Sequence, residues 1–308
     1  MLKQPNKSAQ IIIVIHDNTA NSTTNSTLGK VYLVGAGPGA ADLITVRGAK
    51  LLAQAEIVFH DALVDPEMLK LCPQAVQVAV GKRCGKLSSA QQFINKRLVD
   101  AAQQYKTIVR LKGGDPMLFG RADEEIQALK DAGIAVEVVP GITAALAGAA
   151  SLQQSLTLRG ISRSVAFVTL AQATENTKPN NIDQSAPEIA GPLAQPSADT
   201  LVYYMGRKDA ANIAQQLIAQ SPNQTAATPV HILEAVSTAR ERLWSSTLGE
   251  LALGKAGNWF DNNSPALIMI GEALRNSNTK EANLEGSSPE INNSLQDSEI
   301  LTNSRRRA

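Results

Sequence analysis

The stretch VYLVGAGPGAADLITVRG, residues 31–48, decides how the rest of the chain is read. A run of β-branched and apolar residues ends in a loop with glycine at 35, 37 and 39, and Thr45 then stands where a helix cap belongs. Strand, glycine loop and helix follow one another: the strand over 30–35, the helix from Thr45 through Ala55, and the next strand, EIVFHD, over 56–61. A chain that repeats this unit builds an α/β fold with mainly parallel strands.

Working outward, the unit recurs. VQVAVG (76–81), TIVRLKGGD (107–115) and VEVVPG (136–141) read as further strands. Between them, residues 88–104 open with Ser88 and Gln91 in capping-box spacing and put Ile94, Leu98, Ala101 and Ala102 on one helical face. DEEIQALKDAG (123–133) is a second helix, stopped by Gly133. After Pro140 a helix of almost only small residues starts at Thr143, suited to close approach to a sheet or ligand. The second half offers strands in 164–170, 200–206, 230–236 and 266–272, and a hairpin strand in RERLWSSTLGEL, 240–251. The expected organisation is a disordered tail over 1–28, an N-terminal α/β domain over 29–140, a C-terminal α/β domain over 141–275 and a disordered tail over 276–308. A Pro-, Asn- and Ser-rich insertion is expected over 175–199.

Composition narrows the function. Of 308 residues 19% are charged, and the net charge of +1 argues against nucleic-acid or membrane-surface binding driven by bulk electrostatics. Two cysteines and three histidines are too few for a disulfide scaffold or a His/Cys metal site, so no metal is expected and the compartment is read as reducing and cytoplasmic. IIIVIH (11–16) is far shorter than a membrane span and is no targeting signal.

GAGPGA (35–40), with Asp61 at the end of the second strand, has the form of a dinucleotide fingerprint, although Pro38 has no N–H to offer a pyrophosphate. LKGGDP (111–116) and PGIT (140–143) are two more glycine loops at strand ends, and three such loops line one crevice. Lys82, Arg83, Lys86, Arg121, Arg159 and Arg163 form a local basic set able to receive several carboxylates without raising net charge. Asp61 is either an acid/base group or a strand-end cap. His60 and His231 lie in β patterns and are read as packing, Cys72 and Cys84 as bystanders.

VYLVGAGPGAADLITVRG, DALV (61–64), VGKRCG (80–85), VRLKGGDPMLFGRADEE (109–125), VEVVPGITAALA (136–147), LVYYMG (201–206) and PALIMIGE (265–272) stand in the order found in the tetrapyrrole methylases, which the chain resembles from about Gly29 to Leu274. The resemblance implies two α/β domains with S-adenosyl-L-methionine in the cleft between them, released as S-adenosyl-L-homocysteine, in a homodimer. It is nearest to the branch that methylates C2 and C7 of uroporphyrinogen III to give precorrin-2, on the routes to sirohaem, cobalamin and haem d1. Carried over by position, Pro38, Gly113, Gly114, Asp115, Leu118, Thr143, Ala144, Met205 and Val236 would contact the cofactor. Asp61 and Lys82 would accept and donate the proton, and Arg121, Glu124, Arg159 and Met205 would face the substrate, with Arg121 counted among the catalytic groups.

Departures from the family pattern are Ala62 for arginine, Ser155 and Leu158 for proline and histidine, and Leu170 with Ala171 for Gly-His. They touch the rate or ring preference rather than the cofactor loops. The competing readings are another precorrin methyltransferase, an NAD-dependent oxidoreductase built on GAGPGA, and a module that retains tetrapyrrole without turnover.

Overall fold

The computed structural model describes residues 28–80, 87–170 and 196–275. The expected tails apart from Leu28, together with Lys82, Arg83, Cys84, Lys86, Ala171 and most of the 175–199 insertion, lie outside the described residues.

Strands β1 (Lys30–Gly35), β2 (Ile57–His60), β3 (Val76–Ala79), β4 (Thr107–Lys112) and β5 (Val136–Val139) form one sheet in the order β3-β2-β4-β1-β5. Every pairing in it is parallel, as the alternation predicts. Helices α1 (Val46–Gln54) and α2 (Pro66–Leu69) pack on one face through Leu52 and Met68. The opposite face carries α3 (Leu87–Ala102) and α4 (Ala122–Asp131), held by Ile94, Leu98 and Leu129. Neighbouring strands β1 and β4 therefore lead to helices on opposite faces. This is the switch point at which open α/β sheets place ligands.

Thr45 caps α1 by accepting from Gly48 N, and Gly133 ends the α4 segment at a φ of +70°. One cap expectation is corrected: α3 already begins at Leu87, so Ser88 lies inside the helix, and Gln91 donates instead to Asn95 and Glu125.

The second sheet runs β6 (Val165–Thr169), β7 (Thr200–Tyr204), β10 (Ala266–Gly271), β8 (Pro229–Glu234), β9 (Arg242–Thr247). Only β6 and β7 pair in parallel; the other three pairings are antiparallel, which corrects the expectation of mainly parallel strands for this half. For β8 and β9 the physical reason is connection length. Only a few residues join β8 to β9, enough for a hairpin and too few for the crossover that a parallel pair requires. The expected hairpin strand is β9, but its last residues leave the sheet as α7 (Leu248–Ala252), capped by Thr247.

Helices α6 (Ala210–Gln220) and α7 cover one face of this sheet, and α5 (Ala144–Leu152) lies on the other. The small residues of α5 allow that contact: a Cβ on Gly148 would stand 3.1 Å from Met269 Sδ and 3.3 Å from Leu267 Cδ2. Each sheet buries its own core. Among the described residues no helix is long and apolar enough to cross a membrane.

Candidate active site

Three glycine loops meet at the C-terminal edge of the first sheet, and backbone hydrogen bonds hold them together. Gly37 and Gly114 exchange N–H···O bonds of 3.2 and 2.7 Å, joining the loop after β1 to the loop after β4. Asp115 ties the second loop to the third: Oδ2 accepts from Gly141 N at 2.8 Å while Oδ1 accepts from Met117 N at 2.8 Å. Gly35 and Gly141 touch so closely that a Cβ on Gly35 would lie 2.5 Å from Gly141 Cα, which leaves no alternative to glycine. Asp115, expected to meet a ligand, thus spends both carboxylate oxygens on main chain.

The same amide bonds weigh against the dinucleotide fingerprint. That motif needs free amides at the start of a helix. Here Gly37 N is already bonded, a short 3-10 turn (Ala41–Leu43) follows, and α1 opens only at Val46 under its own Thr45 cap.

The second half of the chain closes on the first loop. A Cβ on Gly39 would collide with Val236 O at 2.7 Å and Thr238 Cγ2 at 2.6 Å, and Ala40 N donates to Ser237 Oγ at 3.1 Å. Ala235 and Ser237 adopt left-handed backbone, φ 49° and 62°, and Glu241 accepts from Ser237 N and from Ser151 Oγ. Val236 is therefore placed beside Gly39 through its main chain, its side chain being buried.

Tyr204, at the end of β7, ties the start of α5 to its own sheet and meets the first half through Phe119. Its hydroxyl lies 2.5 Å from Thr143 Oγ1 and accepts from Ala145 N at 3.1 Å. Thr143 occupies the cap position of α5, but Tyr204 takes the helix amide in its stead. Burial pushes the Tyr204 phenol above its ordinary value. Phe119 packs on its ring at 5.2 Å and Phe167 meets it edge-on at 6.2 Å. Met205 follows in left-handed backbone (φ 57°) with its side chain exposed.

Around this seam the surface is unusually apolar. Leu63, Met117, Phe119, Phe167 and Met205 are all exposed, and a Cβ on Gly113 would meet only Leu63, at 3.4 Å. At Gly114 a Cβ would find nothing within 4 Å, so this φ +69° glycine borders open space. Leu118 and Ala144 are half-buried at the same rim. A flat or bulky apolar ligand can lie here against main chain.

The charged candidates divide. Arg121, in left-handed backbone at the start of α4, forms a fork with Glu124, Nε to Oε1 at 2.6 Å and Nη2 to Oε2 at 2.7 Å. Arg159 is exposed at the tip of a separate hairpin, where Leu158 and Ser162 exchange backbone bonds of 3.0 and 2.8 Å. Asp61 is held by Arg110 Nη2 at 2.5 Å. Arg110 is the residue that the sequence reading missed: VRLKGG alternates cations at 110 and 112, and both enter the interior with side chains only 3% exposed.

Fold and site together define a two-sheet α/β protein in which interlocked glycine loops from one half and strand-end residues from the other border a common apolar cleft. The chain belongs to the tetrapyrrole (corrin/porphyrin) methylases, whose sequence profile matches residues 30–252. It is 43% identical over 247 residues to a uroporphyrinogen-III C-methyltransferase of Pseudomonas aeruginosa, covering 80% of this chain and 95% of the relative. It is 42% identical to a siroheme synthase of Stutzerimonas stutzeri over 80% of this chain, and spans about half (50%) of that longer protein. The uroporphyrin-III C-methyl transferase of Thermus thermophilus, solved in complex with S-adenyl homocysteine, superposes with a TM-score of 0.63 at 36% identity, covering 80% of this chain and 94% of that one.

Proposed function

We propose that the chain transfers methyl groups from S-adenosylmethionine to C2 and C7 of uroporphyrinogen III, giving precorrin-2. The observation that carries the reading is the junction of three glycine loops with the Tyr204–Met205 edge, because it supplies a main-chain cradle and an apolar rim in one cleft. The residues fit the cofactor: Gly113 and Gly114 leave their backbone open to a ligand, and Pro38, Leu118, Thr143, Ala144, Met205 and Val236 are assigned to it by position in the family pattern. When bound, the cofactor supplies a methyl already activated by positive sulfur.

The chain's own residues supply alignment. An electron-rich pyrrole carbon must approach in line, and effective molarity gained by such orientation is the main lever available to the protein. The tetrapyrrole carries carboxylate side arms, for which Arg121 and Arg159 are suitably planar, two-pronged partners. In the free protein Glu124 occupies the Arg121 fork, so an incoming carboxylate exchanges with Glu124 rather than meeting a naked cation. Asp61, fixed by Arg110, is oriented to take the proton released as the methylated ring relaxes, with Lys82 as the donor. The homologous enzyme and the complexed neighbour support this reading, and a homodimer in the cytoplasm belongs to it.

The test is anaerobic incubation of the purified chain with uroporphyrinogen III and labelled S-adenosylmethionine, followed by mass analysis of the pigment. A gain of two labelled methyl groups is expected. Retention of pigment without any gain overturns the assignment in favour of a binding protein, and methylation of a later precorrin alone moves it to a sister enzyme.

A further inference from the structure

One buried charged cluster among the described residues is not needed to hold the cofactor loops. Arg110 and Lys112 point from the end of β4 into the layer beneath α3 and α4, and Glu125, fully buried in the first turn of α4, stands between them. Glu125 Oε1 accepts from Arg110 Nε at 3.1 Å and from Gln91 Nε2 at 3.2 Å, while Oε2 accepts from Lys112 Nζ at 3.0 Å. Arg110 then reaches Asp61, the one member of the set that is partly exposed, at 30%. The set is balanced, with two cations and two carboxylates, and a buried group of this kind persists only when each ion is paired and hydrogen-bonded.

Its position in the chain matters as much as its charge. Lys112 is the last residue before the loop GGDPMLFGR and Glu125 lies just after it, so their contact closes the loop at its base. Gly120 leaves the room required: a Cβ there would stand 3.2 Å from Lys112 Cε and 2.7 Å from Pro116 O. Within the loop, Gly114 exchanges backbone bonds with Gly37, and the Asp115 carboxylate accepts from Gly141 N. Phe119 and Arg121, by contrast, sit in left-handed backbone with φ 53° each, a conformation that persists only where the surroundings over-determine it.

We propose that Glu125, acting through Arg110 and Lys112, is a positioning residue that sets the Asp61 carboxylate and the distal half of the 113–121 loop for methyl transfer. The inference rests on the methyltransferase reading above. It separates two functions of one loop: the glycine half is held by main chain and serves the cofactor, and the Phe119–Arg121 half is held by buried charge and serves the substrate.

The charge of Lys112 supports this. Burial and the neighbouring Arg110 lower its affinity for a proton, and Glu125 and Asp61 oppose them. The groups facing its amine are Arg110 from its own strand, Asp61 from the end of β2 and Glu125 from α4, with neutral Gln91 alongside from α3. Removing the carboxylate charge of Glu125 leaves the amine with less reason to stay protonated.

Two variants test the idea, Glu125→Gln and the charge-balanced Lys112→Gln/Glu125→Gln, each checked for native circular dichroism. Glu125→Gln is expected to lower kcat about 10- to 100-fold, the scale of a small misplacement of reacting groups, with the KM for S-adenosylmethionine changed less than about threefold. The alkaline limb of its kcat profile should move to lower pH, and the double variant should recover roughly tenfold of the lost rate. In lysine-labelled protein, the Lys112 amine resonance should titrate at lower pH in Glu125→Gln than in the parent. A Glu125→Gln enzyme that melts earlier but keeps the parent's kcat and pH profile would show a purely structural role and overturn the proposal, as would an unmoved Lys112 titration. If the parent protein fails to methylate uroporphyrinogen III, the function reading falls, and the Lys112 titration still decides whether Glu125 governs the cluster.

Discussion

Strands β4 and β8 are alike in length and place, each six residues long and interior to its sheet, and each buries polar side chains. They use them differently. In β4, Arg110 and Lys112 join a network that runs from α3 and α4 to Asp61 at the cleft. In β8, His231 bonds Ser245 Oγ at 2.8 Å and Leu274 O at 2.9 Å, while Glu234 accepts from Asp261 N at 2.9 Å and lies 3.4 Å from Arg242. These are separate local anchors that pin β9, a surface loop and the last described turn. The contrast teaches that buried charge is a sign of function when it is shared among elements and ends at a cleft, and of architecture when each group secures one neighbour.

The comparison can be broken by substitution. The largest effect is expected from Glu125→Leu, which strands Arg110 and Lys112 in the interior; chemical unfolding should show a loss of about 3–5 kcal/mol, the usual cost of removing one partner from a buried pair. A loss under about 1 kcal/mol would mean that water reaches the cluster and that it is not truly interior. Next comes Tyr204→Phe, which removes the acceptor of Ala145 N and the partner of Thr143 Oγ1. It should cost about 1–3 kcal/mol and weaken S-adenosylhomocysteine binding in calorimetry, because Thr143 loses its restraint.

In β8 the matching change, Glu234→Gln, keeps an acceptor for Asp261 N and loses only a pair whose cation is 45% exposed. Stability should fall by no more than about 1 kcal/mol, and methyl transfer should be unchanged. A tenfold loss of rate there would erase the distinction between the strands. The smallest effect concerns pH. Burial lowers the proton affinity of His231 despite its bond to Leu274 O, so the unfolded chain binds that proton first. Its contribution to stability is present above the unfolded value near 6.5 and is lost as pH falls through the lower folded value. Thermal midpoints of the parent should decline across that acidic window more steeply than those of His231→Asn.

Much of this was legible in the sequence where local rules govern. Thr45, Gly133 and the apolar face of α3 follow from caps and period alone, and the three glycine loops announce a crevice because glycine at a strand end has few other uses. The second sheet misled because an apolar run carries no mark of its direction; only the short β8–β9 link did. Arg110 and Lys112 carry no local mark of burial, and nothing near them in sequence shows that Glu125, thirteen or more positions on, turns inward to meet them. Asp115 and Thr143 were recognised as important, but their bonds to Gly141 and Tyr204 reach across 26 and 61 positions and exist only in the folded chain.

On the proposed function, the cofactor lies where the loops of the first sheet meet the Tyr204–Met205 edge and the 235–238 turn. A crystal structure of the chain with S-adenosylhomocysteine tests it most directly. Density is expected against Gly113 and Gly114, within reach of Pro38, Thr143, Ala144, Met205 and Val236, with the Arg110–Glu125–Lys112 cluster intact beneath it. Density elsewhere on the chain, or a ligand seated on the α1 amides in the manner of a dinucleotide, would contradict it.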